Sequence, residues 1–146
     1  MNSFPKVKRC RKDSKKGLIQ ILDRVFSEYV RLRDANDQGY SICITCWRWL
    51  PWKQGHAGHY VTRNYLSTRW NEKNVNFQCF ICNCTKGGEQ GLHGIAIDKK
   101  YGKGTAEELQ LISRAHSKID TVWLEYQIKL YRVKVKNFKR EKNLRE

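Results

Sequence analysis

Apolar positions recur with a helical period near both ends of the chain and lose that period in the middle. Leu18, Ile21, Leu22, Val25, Tyr29 and Leu32 fall three or four residues apart. This spacing predicts an amphipathic helix, capped by Asp13 or Ser14 and ending near residues 36–39. A long final helix is predicted behind Ser117, with Ile119, Val122, Trp123, Tyr126, Leu130 and Val133 on its apolar side. Before it, Thr105-x-x-Glu108 reads as a capping box leading into Leu109, Leu111 and Ile112. Residues 48–78 carry no helical period and are broken at Pro51, Gly55 and Gly58. Short strands are predicted over 59–62 and 75–78, a short helix over 80–86, and a loop at Gly87, Gly88, Gly91 and Gly94. The pattern is α+β: a small β-containing centre flanked by long helices.

Six cysteines fall in that centre or near it. Four form two pairs, Cys43-x2-Cys46 and Cys79-x2-Cys82; Cys10 and Cys84 read as spare thiols. Two such pairs match a tetrahedral structural zinc closed by four thiolates. A disulfide framework needs an oxidising compartment, to which nothing in the sequence points. A thioredoxin-like redox motif lacks its βαβ context. Hydrophobic residues make up 40% of the 146, so the core is modest and a zinc staple would help so small a centre to fold.

The net charge of +15 points to a polyanion partner, of which nucleic acid is the commonest. It is concentrated at the ends. Residues 1–16 hold seven Lys/Arg against one Asp, and residues 129–146 hold eight against two Glu. The division expected is a basic arm over 1–16, a single domain over 17–128 with its zinc centre at 41–88, and a basic helix end and tail over 129–146. Charged ends that only aid solubility are the plainer reading, but solubility needs no single sign. No apolar run approaches the roughly 20 residues of a membrane span, and no apolar segment follows the basic N-terminus as in a signal peptide.

The segment between the cysteine pairs holds Gln54-Gly55-His56-Ala57-Gly58-His59-Tyr60 and then Asn71-Glu72-Lys73-Asn74, with Asn83 directly after the second pair. This arrangement resembles the HNH, or ββα-metal, nuclease superfamily. It is closer still to the NinG/Rap recombination endonuclease family of lambdoid phages, and it shares the layout of zinc-stapled resolvases of the endonuclease VII type. The matching stretches are Cys43-Ile44-Thr45-Cys46, Ala57-Gly58-His59-Tyr60, Arg69-Trp70-Asn71-Glu72-Lys73-Asn74 and Gln78-Cys79-Phe80-Ile81-Cys82-Asn83, within a similarity over about 18–130.

The resemblance implies a zinc-stapled HNH-like centre and a structure-specific endonuclease for branched DNA such as Holliday junctions. It implies a phage-encoded protein working in the bacterial host cytoplasm, and a homodimer, since a junction has two strands to cut. By resemblance His59 is the general base, Asn74 braces its loop, and His56 and Asn83 hold a catalytic divalent cation, Mg²⁺ or Mn²⁺. In two places the chain departs from the pattern. Asn83 stands where HNH has its last His, as in the NinG and endonuclease VII patterns, and His56 stands where Asp is expected, which favours softer cations over Mg²⁺. Arg63, Arg69, Lys73 and Lys86 surround these motifs and are candidate phosphate contacts. Trp47, Trp49 and Trp52 follow the first knuckle, either packing on the zinc centre or stacking on unpaired bases. His93 and His116 receive no role. Without the paired histidines, the cysteines and basic arms would describe a non-catalytic zinc-containing DNA binder, or a structural partner in recombination.

Overall fold

The computed structural model describes residues 14–144. Two long helices frame the molecule: α1 over Lys15–Arg33 and α5 over Thr121–Glu141. Ser14 caps α1 by accepting the Gly17 N–H at 3.1 Å, satisfying one of the orphan donors of the first turn. Leu18, Leu22, Phe26, Tyr29, Val30 and Leu32 of α1 bury themselves against Leu124, Ile128, Tyr131 and Val135 of α5. Leu22, Val30, Leu32 and Leu124 are fully enclosed, each contributing about 1.5–3 kcal/mol by leaving water.

The face of α5 that meets this core is not the predicted one. Val122, Tyr126 and Val133 are exposed instead. The helix carries two apolar stripes, and a period of 3.6 does not say which is covered. Its cap is Asp120, which accepts the Trp123 N–H at 2.8 Å, rather than Ser117. The basic tail is partly internal. Lys134 pairs with Glu72 and Lys139 with Glu28, while the Lys142 ammonium donates to the carbonyls of Leu32, Arg33 and Ala35 at the end of α1. The larger part of the N-terminal arm, 1–13, lies outside the described residues.

Between the long helices sit two small antiparallel hairpins. β1 (Tyr40–Ile42) pairs with β2 (Trp49–Pro51). β3 (His56–His59) pairs with β4 (Val75–Gln78), His56 opposite Gln78 and His59 opposite Val75. β4 matches its predicted span, whereas β3 starts and ends three residues earlier than expected. The cause is Asn74. Its side chain accepts the Val61 N–H at 2.7 Å and donates to the Val61 carbonyl at 3.0 Å, so a side-chain amide replaces the ladder there. The first hairpin, which flanks the first cysteine pair, is not among the predicted strands.

A one-turn helix α2 (Leu66–Arg69) lies in the β3–β4 connection, and a π-type turn over Ile81–Thr85 follows β4. Helix α3 (Gln90–Tyr101) occupies a stretch whose glycines predicted a loop. Gly87 and Gly88 do turn the chain at positive φ, but Gly94 sits inside the helix, where a Cβ would lie 3.1 Å from the Tyr60 ring. Helix α4 (Thr105–Ser113) has no capping box. Thr105 is its first residue, and the Ala106 N–H is accepted at 2.8 Å by Asp98 of α3. No helix among the described residues is long and apolar enough to cross a membrane.

His93 of α3 is fully buried, with its ring edge-on to Tyr60 and no hydrogen-bond partner at either ring nitrogen. Burial pushes its pKa from 6.5 down to about 4. The unfolded chain therefore binds this proton more tightly, and stability is lost as the pH falls from the unfolded value towards the folded one. Between about pH 7.5 and about pH 5 the loss from His93 is about 2 kcal/mol. Denaturant titrations at both pH values should show it, and His93→Leu should lose less stability over the same interval by that amount. Equal losses in the two proteins would refute the assignment.

Candidate metal centre and catalytic cleft

The two hairpins bring the cysteine pairs together. In the first knuckle, Cys43 N–H donates to the Arg48 carbonyl and Trp47 N–H to the Cys43 carbonyl. In the second, Asn83 N–H donates to the Cys79 carbonyl and Gly88 N–H to the Cys82 carbonyl. All four sulfurs lie within 4.8 Å of one another, and Cys46 and Cys79 are 3.7 Å apart. A tetrahedral zinc with bonds of about 2.3 Å needs sulfurs about 3.8 Å apart. The four are free thiols, as is exposed Cys84; Cys10 lies outside the described residues. These four cysteines are positioned to bind a metal ion, consistent with structural zinc.

The thiols differ in acidity. Burial pushes Cys82 up to about 12. Burial also opposes ionisation of Cys43, but the Thr45 hydroxyl and the backbone N–H groups of the two knuckles outweigh it and bring that thiol to about 6. A bound dication would deprotonate all four.

Apart from the sulfurs lies a cleft of about 400 Å³ between α1, the β3 hairpin and the turn after β4. His56, His59 and Asn83 all line it, with Arg63. Gly58 lets β3 approach its partner strand here, since a Cβ would fall 1.9 Å from the Gln78 side-chain oxygen. His59 Nε2 lies 2.9 Å from the Arg69 carbonyl. A carbonyl only accepts, so Nε2 carries the ring proton and Nδ1 is the basic nitrogen. Burial brings His59 down to about 4, reinforced by the Arg63 and Arg69 charges and opposed by the Arg69 hydrogen bond and Asp23. The ring is neutral at pH 7. Asn74 is fully buried and ties Val61 and Thr68 together across the loop that follows His59. Asn83 donates its amide nitrogen to Cys84 Sγ, so its oxygen is the atom it can offer a cation. His56 packs against the half-exposed Phe80 ring at 5.8 Å.

The four candidate phosphate contacts are placed differently. Arg63 is in the cleft and exposed. Arg69 is held on Asp23 at 2.6 Å. Lys73 is exposed on the turn before β4, and Lys86 pairs with Glu89 at 2.9 Å. Sequence reasoning missed Asp23, Arg31, Lys53 and Gln54 of the cleft lining. Arg31 stands on α1, its guanidinium over the Trp52 ring, and no local motif marks it. Trp52 is buried, but in the main core with α1 and α5 rather than on the zinc centre. Trp47 and Trp49 are 54% and 58% exposed. Trp47 holds a left-handed φ of 62°, a conformation that costs a side chain about 1–2 kcal/mol.

The profile of the family described as "Bacteriophage Lambda NinG protein" matches residues 3–141. Protein ninG of Escherichia phage lambda is 27% identical over 117 residues, which cover 77% of this chain and 55% of that protein. Protein ninG of Salmonella phage P22 is 26% identical over the same length and shares. The chain thus spans about half the length of these curated relatives. No solved structure matches it. With a family profile matched over nearly its whole length, the chain belongs to the NinG family of lambdoid phage proteins.

Proposed function

We propose that this protein is a metal-dependent endonuclease that cuts branched recombination intermediates, Holliday junctions and D-loops, by phosphodiester hydrolysis in the host cytoplasm. The observation that carries the reading is the cleft in which His56, His59 and Asn83 meet beside Arg31, Lys53 and Arg63. Hydrolysis of a phosphodiester needs an activated water, a held phosphate and a stabilised leaving oxygen. His59 supplies the base: it is neutral, with Nδ1 unprotonated and the ring fixed by the Arg69 carbonyl. His56 and the Asn83 amide oxygen are the pair that would hold a divalent cation, which supplies Lewis acidity towards the phosphate and the leaving 3′ oxygen. With an imidazole in place of a carboxylate, this donor pair suits Mn²⁺ better than Mg²⁺.

Arg31, Lys53 and Arg63 would hold the phosphates on either side of the cut. Exposed Trp47 and Trp49 support stacking on unpaired bases at a branch point. The uncovered stripe of Val122, Tyr126 and Val133 on α5 supports a homodimer, which would present two clefts to the two strands.

Nicking of a junction, a D-loop and a linear duplex, with Mn²⁺ and with chelator, tests the reading. Cutting of the branched substrates only, and only with the cation, is expected. Junctions that bind and stay intact under every condition would replace it with the non-catalytic DNA-binding reading. Binding itself should weaken steeply with salt. Lys53→Ala and Arg63→Ala should each lower the slope of log affinity against log salt by about 1. Unchanged slopes would place the DNA elsewhere.

A further inference from the structure

Among the described residues that line the cleft Asp23 is the one carboxylate, and it stands on α1, outside the segment between the cysteine pairs. Its oxygens accept from three donors: Arg69 Nε at 2.9 Å, Arg69 Nη2 at 2.6 Å and Trp70 Nε1 at 3.0 Å. Arg69 in turn accepts the His59 Nε2–H on its own carbonyl at 2.9 Å. Its third nitrogen, Nη1, donates to the Arg63 carbonyl at 2.9 Å. One carboxylate thus fixes a guanidinium, and the residue that bears it fixes both the imidazole and the backbone of the arginine in the cleft.

Such an anchor is needed because α2 has only four residues, too few to hold its own geometry in water. Its last residue is Arg69, whose carbonyl orients His59. The bidentate pair with Asp23 clamps that residue to a 19-residue helix seated in the core. Asp23 is already committed to this fork, so it is not placed to act as the carboxylate ligand that His56 replaces.

We infer that Asp23 is a positioning residue for His59: acting through Arg69, it holds the imidazole in the Nε2–H tautomer with Nδ1 left to accept a proton, and it keeps Arg63 at the cleft. The inference takes the cleft to be the nuclease site proposed above, but the hydrogen-bond chain itself does not depend on that reading. Around the His59 ring the charged and titratable groups are Asp23 from α1, Arg63 and Arg69 from the β3–β4 connection, and His93 from α3.

The test uses the zinc-loaded protein and two variants. Asp23→Asn keeps the shape but loses the charge and the bidentate acceptor; Arg69→Lys keeps the backbone carbonyl but loses the fork. Long-range ¹H–¹⁵N correlations of the His59 ring should show one Nε2–H tautomer in the parent and a mixture in both variants. Single-turnover cutting of a saturating junction with Mn²⁺ should slow about ten- to a hundredfold, with binding weakened no further than Arg63→Ala weakens it, and Asp23→Glu should recover most of both. A single unchanged tautomer in both variants, with cutting at the parent rate, would reduce the Asp23–Arg69 pair to a structural contact and overturn the inference. A tautomer mixture in the variants of a protein that cuts nothing would uphold the positioning role and remove the nuclease reading instead.

Discussion

Stripping the metal from the four-cysteine cluster is expected to melt the centre of the molecule while α1 and α5 stay packed. Cys43, Cys79 and Cys82 form a small buried cluster of their own with Leu50, separate from the main core, and Cys46 closes the set from the surface. The strands leading into the first knuckle are three residues each, and an isolated hairpin of that size is not stable in water. A structural zinc contributes on the order of 10 kcal/mol in small zinc-dependent folds, comparable to the whole net stability of a domain. Once the cation leaves, a thiol such as Cys82, pushed up to about 12 by burial, takes up a proton. The sulfurs then have nothing to gather them. Amide exchange after chelation should show the Ile44, Asn83 and Gly88 N–H groups losing protection, because their acceptors lie in or beside the knuckles. Amides in the middle of α1 and α5 should keep theirs. Elemental analysis should find one zinc per chain, and Cys46→Ser should reproduce the chelated state. A metal-free protein that still protects Ile44 and Gly88 would show that the cluster is not what holds the centre.

Those parts of the molecule whose determinants are local in sequence could be read from it. The Ser14 cap, the α1 face and β4 each rest on residues within a turn or two of one another. The cysteine cluster was visible because two short pairs carry their own geometry. Apart from the α5 cap, where Asp120 rather than Ser117 accepts the Trp123 N–H locally, the failures share a cause: a residue on another element decides each. Asn74 ends β3 by reaching Val61, Asp98 caps α4 from the helix before it, and α1 selects which stripe of α5 is covered. α3 forms despite Gly91 and Gly94 because Gly94 admits the Tyr60 ring. The cleft divides in the same way. His56, His59 and Asn83 lie in the segment with the motifs, whereas Asp23 and Arg31 come from α1, and only folding carries them to the same place.

The largest effect on activity is expected from His59→Ala, which should lose cleavage by about 10²–10⁴-fold, the usual range for a general base. Junction binding should survive, because Arg31, Lys53 and Arg63 lie on other elements and hold phosphate independently of the chemistry. The pH dependence follows from the neutral form being the active one. Burial puts His59 at about 4, so protonation of the base should remove activity only as the pH falls towards that value, well below the ordinary histidine range. His56→Ala should also lose cleavage, but through the cation, so excess Mn²⁺ should restore part of it. His56→Asp should shift the preference towards Mg²⁺, since a hard carboxylate replaces imidazole. Asn83→Ala should follow His56→Ala rather than His59→Ala, because both side chains would be ligands in one shell. The contrast within this set is the informative measurement. A base and its metal ligands respond differently to added cation, whereas three residues that merely shape a DNA-binding surface respond alike. Rescue of His59→Ala by Mn²⁺, or cutting by that variant at the parent rate, would take the base assignment away from His59.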